Sequence, residues 1–394
     1  MPVLIISLVL LSKPLAVLFN LGSLHYLALA PFIFYTVAVV SYGRSELLWL
    51  VVVSTIVILT IPATIGSYSL SFSEPFLSVI IQVKLLYLLF ALRDTEIGDL
   101  DKPITLIAIL QAMGLIAFYI FPEVYSELKP EVFAGKWSRA TGFQLNANFT
   151  AYLSVVLSLY YFFIKSNKLV AFFFFLSIIL TGSRLGLAMF VLAALYISSA
   201  RNIRTVVSFG IPTITLSALL FLEFGQERLA QTFVTVQGAV NGTSNYPRIA
   251  MLIGGWQLAV DNFPFGAGGG AYASSLGADP SAYAAAGVGF MLHDELISGI
   301  FDSGVGAILG QFGFFGLSLI YISIFISIRL FSRRRLTMTD VVFLVALIFA
   351  SSFFLTVVSD FYSSLCFVLI AMILKDLRVS KTIQERSFGV NKRL

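Results

Sequence analysis

Long apolar segments separated by short polar stretches follow one another along most of the chain. The segment Leu169–Leu180 is apolar throughout except for Ser177, which is typical of a helix surrounded by lipid or protein on all sides. About twelve segments are long enough to be spanning helices, and two neighbours, 168–181 and 184–199, are short enough to form one broken unit. The predicted spans are 2–20, 24–42, 46–66, 75–92, 104–121, 148–164, 168–181, 184–199, 204–222, 304–329, 338–358 and 361–376.

The composition agrees with this pattern. Of the 394 residues, 58% are apolar and only 11% are charged, against about 25% charged in soluble domains. This balance excludes a soluble enzyme and a nucleic-acid-binding protein. The single cysteine, Cys366, excludes an intrachain disulfide and a cysteine metal cluster. The sequence therefore predicts an all-α polytopic membrane protein, with residues 1–394 forming one transmembrane domain of about twelve helices.

The distribution of basic residues predicts the orientation. With both termini in the cytoplasm, most lysines and arginines fall in inner loops or in a basic cytoplasmic tail, 377–394. The apolar N-terminus has no basic leader region, so it is interpreted as a retained first span. Two long outer loops remain, 122–147 and 223–303. Pro247 predicts the start of a helix inside the second loop.

The outer face collects three arginines and a histidine: Arg139, Arg184, Arg248 and His293. Arg184 and Arg248 are each predicted in the first turn of a helix, where free backbone N–H groups and the helix dipole favour anions. A guanidinium can also bond two phosphate oxygens at once. The alternative interpretation is that each arginine pairs with a lipid headgroup.

His293 is the candidate general base, because a neutral imidazole can accept a proton from a hydroxyl. Asp302 follows nine residues later, about 180° away on an ideal helix, so it does not orient His293 from the same helix. No outer cluster has metal-ligand spacing, and we predict no metal and no cofactor. Lys84 lies within a predicted span, and the sequence names no partner for it.

Four stretches resemble the O-antigen ligase and polysaccharide polymerase superfamily of bacterial inner membranes. They are R-A-T-G-F-Q-L-N-A-N (139–148), T-G-S-R-L-G (181–186), Arg248 with Trp256 and N-F-P-F-G (262–266), and His293-Asp294 with Gly304. The chain departs from the family pattern at Asp294, where asparagine is usual, and at Gly306, which comes one position early. The resemblance covers residues 139–316.

This resemblance implies a metal-independent, inverting glycosyltransferase at the periplasmic face, and both long loops are then periplasmic. The donor would be an oligosaccharide on undecaprenyl diphosphate, and the acceptor a glycan or lipid. A chain-length regulator is a further partner that it suggests. His293 would be catalytic, Arg184, Arg248 and Arg139 would bind the diphosphate, and Asp302 and Gly304 would support them.

Three functions remain open at this point. A repeat-unit polymerase is favoured over a ligase that transfers the chain to lipid A-core. A transporter of lipid-linked glycans is the alternative from another class, and it predicts paired broken helices and polar mid-span faces.

Overall fold

The computed structural model describes residues 6, 9, 47–66, 68, 73–128, 138–201, 247–274, 279–292, 303–333, 335–353, 357–358 and 360–390. Within these residues the structure is all-helical, with no β-strand. The predicted spans 2–20, 24–42 and 204–222 lie outside them, apart from isolated positions in the first.

The helices follow the predicted apolar segments. They are α1 (Leu47–Ile65), α2 (Ser73–Gln82), α3 (Lys84–Ala91), α4 (Asp101–Ile120), α5 (Pro122–Leu128), α6 (Ala147–Phe163), α7 (Lys168–Leu180), α8 (Arg184–Arg201), α9 (Pro247–Asp261), α10 (Pro280–Ala285), α11 (Gly304–Phe331), α12 (Met338–Ser352) and α13 (Phe361–Val390). Short 3₁₀ helices cover Ile97–Leu100, Gly142–Gln144 and Gly289–Leu292. The outer segment 122–147 thus contains α5, and α13 continues as a helix beyond the predicted end of the last span at 376.

Three helical segments are long and apolar enough to cross a membrane: α1, Ile97–Ile120 and α11. A fourth candidate is the pair α2 and α3, which the sequence predicted as one continuous span. The two halves are bent by 52° at a break, where Val83 leaves helical geometry (φ −102°, ψ 10°). Gln82 and Lys84 flank the break. The segments on both sides of them are mostly apolar, so the apolar pattern predicted one continuous span.

Helix α11 is the axis against which two others pack. Helix α1 runs antiparallel to it: Thr55 Oγ1 lies 2.7 Å from Ser323 Oγ, and one turn later on α1 a Cβ on Gly316 would lie 3.5 Å from Leu59 Cδ2. Helix α9 runs parallel to it, and the two backbones touch where Gly255 faces Gly306. A Cβ on Gly255 would lie 2.2 Å from the Gly306 carbonyl oxygen. Gly255 and Gly306 therefore allow the close backbone packing of α9 on α11.

Ion pairs gather the predicted inner-face charges at one end of the bundle. Asp94 pairs with Arg333, and Glu96 pairs with Arg335 at 3.3 Å. Asp101 pairs with Lys165, which follows the end of α6. These contacts join the ends of α3, α6 and α11, so the starts of α6 and α11 lie at the opposite end, which carries the candidate site.

A buried ion pair fixes α13 to α12. Arg378 donates to both oxygens of Asp340, at 2.6 Å and 3.0 Å, and the Tyr196 hydroxyl donates to the same carboxylate at 2.9 Å. Asp340 is completely buried. Removing one member of a fully buried pair costs about 3–5 kcal/mol, and because the Arg378 side chain is 23% exposed, the loss of Asp340 falls toward the lower end of that range.

Asp340→Ala should therefore lower the melting temperature of the purified protein strongly. A thiol-reactive dye can follow unfolding, because the lone cysteine, Cys366, is buried. The matched control is Asp94→Ala, which removes an exposed ion pair and should change little. Equal melting temperatures for the two variants would contradict this account of Asp340.

Candidate functional site

The turn between α7 and α8 has the geometry that the sequence T-G-S-R (181–184) predicts. The N–H of Ser183 donates to Thr181 Oγ1 at 3.2 Å, and Ser183 Oγ accepts from the N–H of Gly186 at 3.2 Å, capping α8. Gly182 has φ +61°, a conformation that side chains disfavour. Arg184 is thus the first residue of α8, and it is exposed.

Asn148 joins this turn to the segment that carries Arg139. Its Oδ1 accepts from Arg139 Nη2 and from Ser183 Oγ, each at 3.1 Å. Arg139 Nε also donates to the Thr181 carbonyl at 3.1 Å. Asn146, two residues earlier, caps α6 by accepting from the N–H of Asn148 at 2.9 Å. Both asparagines of N-x-N therefore have structural roles, and two of the four resembling stretches meet here.

Asn148→Ala should destabilise this junction, because two donors lose their shared acceptor. Such a loss costs about 1–3 kcal/mol when the donors are buried. The matched control is Asn148→Asp, which keeps an acceptor oxygen beside Arg139. We expect the alanine variant to melt lower than the aspartate variant in the Cys366 dye assay. The reverse order would show that Asn148 does not hold the turn.

Arg248 belongs to the same end of the bundle. It is the second residue of α9, and it is half-buried. Its guanidinium interacts electrostatically with the hydroxyl of Tyr152, which lies one helical turn after Asn148 on α6. Asn148 and Tyr152 share a face of α6; Arg139 is hydrogen-bonded to the first, and the charge of Arg248 acts on the second.

Asp360 supplies a negative charge to this group, and the sequence analysis did not select it. It precedes α13 and accepts from the N–H and the hydroxyl of Ser363, at 2.8 Å and 3.0 Å. It acts electrostatically on Tyr152 and Tyr362. The sequence signal was an acidic residue at the outer end of a predicted span, between 358 and 361.

Tyr152 and Tyr362 were also missed. Both are almost fully buried, and neither hydroxyl has a hydrogen-bond partner among the described residues. The Tyr362 ring packs 5.2 Å from that of Phe149, which brings the start of α13 against the start of α6. Tyrosines in an apolar segment carry no sequence signal that separates a site from a core.

Lys84 reaches the same neighbourhood from the break between α2 and α3. It is buried, and its Nζ lies 5.1 Å from the centroid of the Phe361 ring. A cation over an aromatic face is stabilised by the ring quadrupole. This contact supplies a partner that the sequence alone did not name.

The predicted site residues thus differ in how they are connected to this end of the bundle. Arg139 is bonded directly to the 181–184 turn, whereas Arg248 is linked to that end through Tyr152. Gly304 is buried at the start of α11, one residue after Ser303, whose Oγ caps the helix by accepting from Gly306 at 3.1 Å. His293 and Asp302 lie outside the described residues, so their roles remain predictions.

Two further observations bear on identity. Among the side chains that the structure describes, no group of three or more histidine, cysteine, aspartate or glutamate residues lies together as a metal site. Comparison with protein-family models, curated proteins and solved structures finds no match to this chain. The proposed function therefore rests on the sequence motifs and on the contacts described above.

Proposed function

We propose that the protein is a membrane glycosyltransferase that moves a glycan from undecaprenyl diphosphate to an acceptor hydroxyl, as a polymerase of polysaccharide repeat units. In this proposal the chain crosses the bacterial inner membrane twelve times with both termini in the cytoplasm. The end that carries Arg139, Arg184 and Arg248 then faces the periplasm. The acceptor is a second lipid-linked repeat, and a chain-length regulator is a further partner.

One observation carries the proposal: Arg139 and the turn that precedes Arg184 meet at the start of α6, and the charge of a third arginine, Arg248, acts on Tyr152 one helical turn further along α6. Arg139 and the turn that precedes Arg184 share Asn148, and Arg248 acts electrostatically on Tyr152, which lies on the same face of α6 as Asn148. A diphosphate bears several negative oxygens, and guanidinium forks and helix N-termini both favour such groups. The arrangement suits a lipid-linked diphosphate better than a neutral solute.

The proposed reaction needs no metal. The acceptor oxygen attacks the anomeric carbon, and the bond from that carbon to the diphosphate oxygen breaks. The electron pair leaves with undecaprenyl diphosphate, whose developing charge Arg184 and Arg248 stabilise. The proton of the acceptor hydroxyl passes to His293. Attack on the face opposite the leaving group inverts the anomeric centre.

The decisive test is transfer by the purified protein in lipid nanodiscs, supplied with a defined undecaprenyl-diphosphate repeat unit. A ladder of longer lipid-linked products, formed without any other acceptor, is the expected result. Products formed only when lipid A-core is added would instead indicate the ligase. Absence of any new glycosidic bond in both assays would overturn the proposal.

The same assay tests the metal prediction. We expect EDTA to leave the rate of product formation unchanged, because arginines take the part that a divalent cation plays in other diphosphate-dependent enzymes. The control adds magnesium after EDTA and should also have no effect. Loss of transfer in EDTA that magnesium restores would contradict the metal-independent reaction.

A transporter of lipid-linked glycans is the second candidate, because the break between α2 and α3 favours it. Broken helices with a buried charge, here Lys84, occur in transporters near their substrate sites. Helix α11 also departs from helical geometry, at Gly313 (φ 64°, ψ −164°). Movement of a labelled lipid-linked glycan across proteoliposome membranes, without new bonds, would support this candidate.

A further inference from the structure

Helix α9 carries an apolar stripe that no other part of the described structure covers. Ile253, Trp256, Val260 and Phe263 are 46%, 55%, 49% and 73% exposed. Their spacing of three, four and three residues puts them on one side of a helix, continued by the turn after Asp261. The segment falls within the predicted outer loop 223–303, and such a stripe would be unfavourable if it faced water.

The stripe is continuous with the lipid-facing surface of a candidate span. The Trp256 ring contacts the Phe314 ring of α11 edge-on, with centroids 5.0 Å apart. Phe263 lies against the same ring at 6.3 Å. Further along α11, Phe315 and Ile322 are exposed on a helix long enough to cross a bilayer. This continuity points to acyl chains, and not to water, around the stripe.

The length of α11 sets the depth of α9. Its 28 residues extend about 42 Å, whereas the hydrocarbon core is about 30 Å thick. The basic residues Arg329 and Arg333 anchor its far end. The excess therefore falls at its start, alongside α9.

The end of α1 marks the same level. The loop that follows α9 meets it, since the N–H of Gly269 donates to the Ala63 carbonyl at 3.0 Å. Ala63 lies in the last turn of α1, a 19-residue candidate span that ends at Ile65. The C-terminal end of α9 thus lies at the bilayer boundary, and its N-terminal end stands further out.

A polar strip beside the stripe fits this depth. Gln257 Nε2 donates to both oxygens of Asp261, at 2.9 Å and 3.0 Å, and both side chains are exposed. A polar pair of this kind belongs among headgroups, whereas tryptophan favours the boundary between headgroups and acyl chains. The helix therefore has one apolar and one polar side near the level of the bilayer boundary.

We propose that the C-terminal half of α9 enters the leaflet that meets the start of α11, with Trp256 at the headgroup boundary and Val260 and Phe263 among the acyl chains. Arg248 precedes Trp256 by eight residues, so it is held about 12 Å further along the helix axis. Resting on the proposed function, this spacing positions Arg248 at the level of a lipid-linked diphosphate.

Fluorescence quenching of Trp256 tests the embedding directly. The protein has three tryptophans, so the variant W49F/W137F leaves Trp256 alone. In proteoliposomes with brominated acyl chains, we expect strong quenching by shallow bromines and weak quenching by aqueous iodide. The matched control adds Q257W and W256F to that variant, which moves the probe to the polar strip and should make iodide the stronger quencher.

Each other outcome overturns the proposal. Strong iodide quenching of Trp256 would show that the stripe faces water. Protection from both quenchers would show that protein covers it, for example a second copy of the chain. If the tryptophan variants do not fold, V260C and Q257C in a C366S background replace them. An impermeant maleimide should then label position 257 and spare position 260 in membranes, and equal labelling would count against embedding.

These readouts are independent of catalysis. A protein that lacks transfer activity but shows Trp256 shielded from iodide and quenched by bromines would contradict the proposed function and support this inference. An active enzyme with a water-exposed Trp256 would do the opposite.

Discussion

Arg248→Lys is expected to lower the rate of glycan transfer about 100-fold, and Arg184→Lys by a similar factor. Lysine keeps the positive charge but has no planar fork, so it cannot bond two diphosphate oxygens in one fixed geometry. Alanine at either position should be no better than lysine. The measurement is the initial rate of product ladder formation, together with donor affinity and membrane expression of each variant.

The control for charge and expression is Arg333→Lys. Arg333 pairs with Asp94 at the opposite end of the bundle, so its replacement should leave transfer unchanged. Retention of full activity by Arg248→Lys would show that only charge matters at that position. The position of α9 in the membrane would then not determine how Arg248 bonds the oxygens of the diphosphate.

The parts of the site that the sequence predicted are those governed by local rules. Ser183 and Pro247 mark helix starts because capping and the fixed φ of proline depend on residues within one turn. Gly182 was expected to break the chain between α7 and α8, and its positive φ confirms that. Such signals lie within three or four residues, so they can be recognised in the sequence without knowing the fold.

The parts that the sequence did not reveal depend on contacts between distant segments. Asn148 bonds Arg139 and Ser183 because 138–146 packs against the end of α7, where the N–H of Ala140 donates to the Leu180 carbonyl at 3.1 Å. Asp360 joins the site only because α13 packs on α6. No pattern of spacing along one helix encodes either neighbour.

One predicted span contains a break that its apolar content did not reveal. Apolar content predicted 75–92 as continuous, although Val83 interrupts it. Helix α9 falls within the predicted outer loop 223–303, where Arg248, Gln257 and Asp261 interrupt its apolar residues. Averages over a window lose both a single non-helical residue and a one-sided face.

His293→Ala is expected to abolish product ladders while leaving donor affinity nearly intact. A general base acts on the acceptor proton in the transition state, so its removal should lower kcat far more than it weakens binding of the donor. Loss of one such interaction commonly costs about 2.7–4 kcal/mol, or roughly 100- to 1000-fold in rate. The measurement pairs single-turnover transfer with donor binding in nanodiscs.

The second histidine provides the control for this experiment. His25 has only Ser23 and Tyr26 as polar neighbours in sequence, so His25→Ala should keep normal transfer. A well-expressed His293→Ala variant with normal ladders would show that His293 is structural. The base would then be sought among Asp302, Glu295 and Asp360. Asp360 would be tested first, since its charge acts on Tyr152 and it precedes α13, whose start packs against the start of α6.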